Sequence, residues 1–228
     1  MKPALLPLCA AALLAACSGL LHSTAQPEQT YYLRPPAAAA AAAVAPAAPA
    51  AAPPLSLRVG HPLADPGLGT PHIMLLRSDH RLDFYSGARW PAPTPEVIES
   101  LAVQTLRGSG QWASVEDSRS PFPSAYLLQM VVRRFDADYT AGAGAPEVHV
   151  VLDCIVGRRE GRDVVASFIA GASAPAAANR LADVVAAFEQ ATGAALESLA
   201  QQALAAARAD SAAQNGAAPR PSSSRQSQ

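Results

Sequence analysis

The side chains able to do chemistry are few, and their spacing decides what they can do. Five histidines occur, His22, His61, His72, His80 and His149. His61, His72 and His80 fall in or beside loops without a matching Cys or His pair, and no HExxH run exists to hold zinc. His149 and Asp153 are four apart in a run of strand character, so they share a face. Strand rise separates them by about 13 Å, too far for one ion. A solvent-facing sheet surface accounts for both. Cys154 falls in the apolar phase of the same run, the place of a buried, inert thiol. Gly171-Ala172-Ser173-Ala174-Pro175 has the outline of a nucleophile elbow, but Pro stands where the last glycine belongs. Ser173 reads better as a helix N-cap. Gly108-Ser109-Gly110 lacks the lysine of a phosphate-binding loop and follows a helix instead of opening one. No catalytic residue, metal ligand or cofactor-binding residue is assigned. Trp90, ahead of a proline-rich turn, reads as core, with an exposed interface anchor as the other reading.

What the chain does carry is an N-terminal address. Lys2 precedes the apolar stretch from Ala4 to Leu14, which has the length of a signal-peptide core and is too short to cross a bilayer. It ends in Leu14-Ala15-Ala16-Cys17, which resembles the bacterial lipobox. There the thiol is acylated, the peptide is cut before the cysteine, and the new amine is acylated in turn. Residues 1–16 are then a signal peptide and Cys17 the lipid-bearing first residue of the mature chain. Each buried methylene contributes about 0.8 kcal/mol, so more than one acyl chain makes a lasting anchor. The lipobox resemblance extends to sorting. Ser18, in place of the Asp that retains such proteins at the inner membrane, implies delivery to the periplasmic leaflet of the outer membrane.

Composition narrows the classes further. The 228 residues carry a net charge of −1, with no basic stripe of the kind nucleic acid requires. Cys9 leaves with the signal and Cys17 is acylated. Cys154 is then the one remaining thiol, and no internal disulfide can form. After the signal no apolar run is long enough to span a membrane.

The elements that would position anything come in order along the chain. Residues 17–30 are small and polar and read as a tether. Residues 31–34 form a short strand around Tyr31-Tyr32-Leu33. Residues 35–54, almost pure Ala and Pro, read as an extended spacer because the prolines break any poly-Ala helix. The folded part is 55–207. Leu55, Leu57 and Val59 alternate as a strand, and Gly60 to Pro71 is loop. Short strands at 73–76 and 82–85 flank a turn at Ser78-Asp79-His80. Thr94 is placed as N-cap, with Pro95 at the first helical position. Val97, Ile98, Leu101 and Leu106 then mark a helix that stops at Gly108. Strands are expected at 112–116, 126–136, 147–157 and 163–170, the last three as an antiparallel meander. A helix from about 176 to 207 buries Leu181, Val184, Val185, Phe188, Leu196, Leu199 and Leu204. Residues 208–228 read as a disordered tail. The expected fold class is α+β, one mostly antiparallel β-sheet packed against two main α-helices.

Taken in order, these features resemble the ABC-type transport auxiliary lipoprotein component family. The residues that carry the likeness are the lipobox at Cys17, Tyr31-Tyr32-Leu33, and Leu57-Arg58-Val59 leading into His61-Pro62-Leu63. Leu82-Asp83-Phe84-Tyr85 with Arg89-Trp90, Tyr126-Leu127-Leu128-Gln129 with Phe135-Asp136, and Val184-Val185-Ala186-Ala187-Phe188 complete it. The Ala/Pro insertion, the Ser-rich tail and His61 depart from the family pattern. The resemblance implies a non-catalytic accessory subunit without a cofactor. Its partners would be a periplasmic protein with a mammalian-cell-entry (MCE) domain and, through it, an inner-membrane permease and ATPase. Such systems move phospholipid or other hydrophobic molecules between membranes. A periplasmic lipid-binding carrier is the alternative, and a homo-oligomer stays open.

Overall fold

The computed structural model describes residues 28–35, 55–142 and 144–217. The signal peptide, Cys17, most of the tether, most of the Ala/Pro spacer and the last eleven residues lie outside them. The elements run β1 (Gln29–Thr30), β2 (Ser56–Val59), β3 (Leu63–Ala64), β4 (His72–Leu76), β5 (Leu82–Arg89) and α1 (Thr94–Gly108), then β6 (Ser114–Glu116), β7 (Tyr126–Asp138), β8 (Glu147–Arg158), β9 (Val164–Pro175) and α2 (Leu181–Ala217). The fold is α+β, a single nine-stranded sheet with its helices against one face.

Strand β7 is the spine. Along one edge its successive stretches pair in parallel with β2, β3 and β4, through Leu57↔Tyr126, Leu63↔Val131 and Met74↔Asp136. Along the other edge it pairs antiparallel with β8 over almost its whole length, and β8 pairs antiparallel with β9. The long pairings are therefore antiparallel, as expected, while the short N-terminal strands make the sheet mixed. The reason is topological. Between β4 and β7 the chain passes through α1, a connection long enough to return the chain in the same direction. Periodicity in a sequence carries no information on strand direction.

The inner face is where the period-two pattern of β8 points. Val148, Val150, Leu152, Cys154 and Val156 are fully buried beneath α2, together with Leu128, Val132 and Phe135 of β7. Helix α2 meets them with Val184, Phe188, Leu196 and Leu199, and with Ala191, Ala195, Ala203 and Ala207, all at or near zero exposure. Alanine at those positions lets a helix backbone lie close to a sheet, and it also has the highest helix propensity. Trp90 is fully buried at the crossing, edge-on to Phe135 at 5.8 Å and to Phe188 at 5.3 Å between ring centroids. It is core, not an interface anchor.

Several local expectations are corrected. The strand near the tether is Gln29–Thr30, paired with Ala88–Arg89, and Tyr31 only extends it by one hydrogen bond to Arg89 O. Leu33 is buried beyond it. Helix α1 is capped by Pro93 without a side-chain bond. The Thr94 hydroxyl instead donates to Thr70 O at 3.2 Å, tying the helix to the preceding loop. That loop contains β3, two residues that pair only because β7 passes beside them. Strand β9 runs to Pro175, opposite Glu147, so Ser173 sits in a strand and is not a helix N-cap. A long partner strand overrides the Gly-Ala-Ser-Pro composition that reads locally as a turn. Helix α2 starts at Leu181 and continues to Ala217, ten residues beyond the expected end.

Candidate functional site

The polar residues singled out by type are brought into pairs that occupy them. His61 Nδ1 lies 2.9 Å from Glu99 Oε2 on α1, and Glu99 Oε1 accepts the Ser118 amide at 3.0 Å. Burial pushes the Glu99 carboxyl up, but Ser118 and His61 outweigh it and hold the pKa below the usual range. His72 stacks on Phe84 with centroids 4.4 Å apart. His80 turns the β4–β5 hairpin at φ 63°. Asp153 does not meet His149. It accepts from Arg133 at 2.9 Å, and Arg133 also donates to Asp65 at 2.9 Å. Cys154 is buried, and that burial pushes its thiol up to about 12, so no reactive thiolate forms near neutral pH.

Ser173 and His149 face each other across β8 and β9. The Ser173 hydroxyl nevertheless donates to Glu147 Oε1 at 2.6 Å, not to the imidazole. His149 Nε2 stands 3.7 Å from Glu147 and 3.9 Å from Asp138. A nucleophile needs its hydroxyl on the base, and here the carboxylate has taken it. Among the described residues no group of three or more His, Cys, Asp or Glu side chains is placed to hold a metal ion.

Two features stand out as open to a partner. The first is the sheet face turned away from the helices. Cross-strand register places Leu63 of β3, Val131 of β7, Asp153 of β8 and Ile169 of β9 in one row. Strands lie about 4.8 Å apart, so the row spans roughly 14 Å. Its two ends, Leu63 and Ile169, are each 67% exposed, and Ile155 in the next row is 38% exposed. Between them the charges are paired with one another, since Arg133 bridges Asp65 and Asp153 and leaves one negative charge in excess. An outward sheet face is ordinarily polar. This one offers apolar contacts around a paired ionic centre. On its flank β9 pairs, among the described residues, only with β8, and no charged residue occurs from Val164 to Pro175. Edge strands are usually protected by charge.

The second is an open groove of about 680 Å³ at the end where the β4–β5 and β7–β8 hairpins meet the start of α2. Its floor includes Leu75 and Phe84. A chain of hydrogen bonds crosses it from Tyr85 Oη to Tyr139 Oη at 2.8 Å and on to Asn179 Oδ1 at 2.7 Å. Burial, then the Tyr139 contact, raises the Tyr85 phenol well above its ordinary value. The guanidinium groups of Arg77 and Arg81 are engaged by Asp83 and Asp79 at 2.7 and 2.6 Å.

Sequence reasoning missed the outward row. Leu63 lay in an expected loop, and Ile169 was assigned to a strand without a face. One signal was present. Val151 and Ile155 occupy the phase of β8 that also carries Glu147, His149 and Asp153, so apolar side chains stand where the pattern points to water.

Comparison with known proteins bears on most of the chain. The family model described as the ABC-type transport auxiliary lipoprotein component matches residues 31–203. The crystal structure of a Xanthomonas campestris protein of the DUF330 family superposes with a TM-score of 0.67 at 27% identity, covering 81% of this chain and 99% of that one. A further crystal structure, of an uncharacterized protein, shares the fold at a TM-score of 0.56 and 15% identity, covering 78% and 99%. A search against curated proteins finds no match.

Proposed function

The chain belongs to the ABC-type transport auxiliary lipoprotein component family, and on that premise we propose that it is a non-catalytic docking subunit of an MCE-type transport system. It is anchored through acylated Cys17 in the periplasmic leaflet of the outer membrane. There it receives the MCE-domain protein whose inner-membrane permease and ATPase drive phospholipid or another hydrophobic cargo. The observation that carries this reading is the outward row of the sheet. Leu63 and Ile169 are exposed, the carboxylates between them are paired with Arg133, and the flanking strand edge is unpaired among the described residues. A surface of that kind gains by being covered and offers nothing to a reacting substrate.

The anchor gives the docking surface its effect. No helix among the described residues is long and apolar enough to cross a membrane. A lipid on Cys17 and the chain up to Glu28 leave the folded domain within reach of the bilayer, whichever way it is turned. Tethering raises the local concentration of the docking face for a partner arriving at the same membrane. Affinity purification of the tagged, membrane-extracted chain, with identification of bound proteins and lipids, tests the reading. An MCE-domain protein in the eluate is the expected result. A partner-free eluate with stoichiometric lipid would make the chain a carrier instead.

A further inference from the structure

A second recess begins one row from the docking row on the outward sheet face and lies toward the opposite end of the sheet from the tyrosine groove. It has a volume of about 360 Å³ and is formed by β7, β8 and the hairpin that joins β8 to β9. Leu127, Ile155 and Val164 supply its apolar wall, and Arg158, Arg159 and Arg162 line it as well. We propose that this cup binds a phosphate-bearing amphiphile, with Arg159 and Arg162 on the phosphate and Leu127, Ile155 and Val164 against the apolar portion.

The three arginines are not equivalent. Arg158 is structural. It donates to Asp210 of α2 at 2.8 Å and lies 3.3 Å from Asp163, which pins the hairpin to the end of the helix. The backbone of Arg159 is fixed too, its amide donating to Ala125 O at 2.9 Å. Among the described residues the Arg159 and Arg162 side chains meet no carboxylate, whereas most other arginines here are paired with an acid or bonded to a carbonyl. Two exposed guanidinium groups thus stand on one pinned hairpin without an acidic partner among the described residues. A planar fork of that kind matches phosphate oxygens in pairs.

The backbone supplies a second, independent observation. Arg162 sits at φ 59°, directly after Gly161 at φ 79°. The left-handed region costs an ordinary side chain about 1–2 kcal/mol, and Gly or Asn is the usual occupant. A long cationic side chain kept at a strained position on a binding rim points to use of that side chain. The apolar wall then separates an amphiphile from a bare anion. Val164 is 67% exposed and Ile155 is 38% exposed, in the same recess as the unpaired charge. Leu127, Gln129 and Ile155 place the recess on the outward sheet face beside the docking row, but its two free arginines come from the hairpin and its test does not depend on the docking reading.

The test uses the full chain in an uncharged detergent, with dihexanoyl phosphatidylglycerol and inorganic phosphate titrated separately by calorimetry. Dihexanoyl phosphatidylglycerol is expected to bind saturably, and at least tenfold more tightly than inorganic phosphate. R159Q/R162Q should weaken it at least tenfold. Arg162→Gly should weaken it without lowering the urea midpoint, because glycine suits that backbone. Absence of saturable phosphatidylglycerol binding would overturn the proposal. So would unchanged affinity in both variants, or inorganic phosphate binding as tightly as the lipid, which would make the cup a free-anion site.

Discussion

Replacing Leu63 and Ile169 together by Asp attacks the outward row at both ends and leaves the core untouched. Fully burying a Leu or Ile side chain contributes about 1.5–3 kcal/mol. Each of these is 67% exposed in the free chain, so roughly two-thirds of that remains to be gained on docking. The pair then contributes about 2–4 kcal/mol, a loss of about 30-fold to nearly 1,000-fold in Kd. Two aspartates that must be desolvated push toward the upper end. Folding is expected to change little, about 0.5 kcal/mol or less per site, because neither side chain is buried to begin with. The assay is paired. Biolayer interferometry measures the detergent-extracted chain against the MCE-domain protein recovered with wild type, and urea unfolding runs on the same preparations. Gln104→Glu, on the exposed side of α1, serves as the control. Wild-type affinity in a stably folded double variant refutes the assignment of this face. A collapse of the urea midpoint would show instead that Leu63 and Ile169 carry folding energy that their exposure does not reveal.

Trp90 separates two contributions to the core. Trp90→Ala should cost about 3–5 kcal/mol. Trp90→Phe should stay within about 1 kcal/mol, since the cavity it leaves is offset by removing a buried Nε1 that has no acceptor among the described residues. A large loss in the phenylalanine variant, read by urea unfolding, would mean that the indole N–H is bonded. Cys154, with its thiol pushed up to about 12 by burial, should resist iodoacetamide in the folded chain and label fully in urea; rapid labelling of the native protein contradicts the packing beneath α2. Burial pushes Asp138 up, but Thr140 and Arg134 outweigh it and hold the carboxyl at about 2. Its stabilisation is therefore full above the unfolded value near 4 and is lost as pH falls toward 2. Glu99, held low by Ser118 and His61 against the upward push of burial, moves in the same direction. Unfolding midpoints should fall between about pH 4 and 2, and Asp138→Asn should remove about 1 kcal/mol of that slope after allowance for solvent screening. Cys17→Ala should release the chain from washed membranes; full retention would require another anchor.

The parts of the fold legible in the sequence were those with a long repeat of one period. β8 alternates cleanly because one face is covered by α2 along its whole length, and its buried phase from Val148 to Val156 is the phase the pattern gives. α1 announces itself through the prolines before it and the spacing of Val97, Ile98, Leu101 and Leu106. Illegible were the features that exist only through a distant partner. β3 is two residues long and is a strand because Val131 and Val132 lie beside it. Ser173 belongs to a strand because β8 extends as far as Glu147. Glu99 falls within a helical pattern as an ordinary charged position. It is buried because His61 and the Ser118 amide reach it from segments 38 residues before and 19 after. The candidate docking face belongs to the same class, since no local window brings Leu63 and Ile169 into one row.

The position of β7 also governs when the chain can fold. Apart from β3, which pairs with β7 itself, the strands before it fall into two fragments, β2 with β6 and β4 with β5 and β1, which share no hydrogen-bonded edge until β7 lies between them. Its partners on that side were made about 60 to 70 residues earlier, so their closure is a late, non-local event. Beyond β7 the order reverses: a local meander and a helix pack on one another in the sequence in which they are made. A nascent chain emerging N-terminus first thus lacks the strand that joins its two fragments until its second half appears. On the proposed reading, in which the signal peptide takes the chain unfolded through a secretion pore, this order of assembly keeps the leading half pliable during synthesis. It then lets the trailing half set off the closure of the whole sheet on the far side.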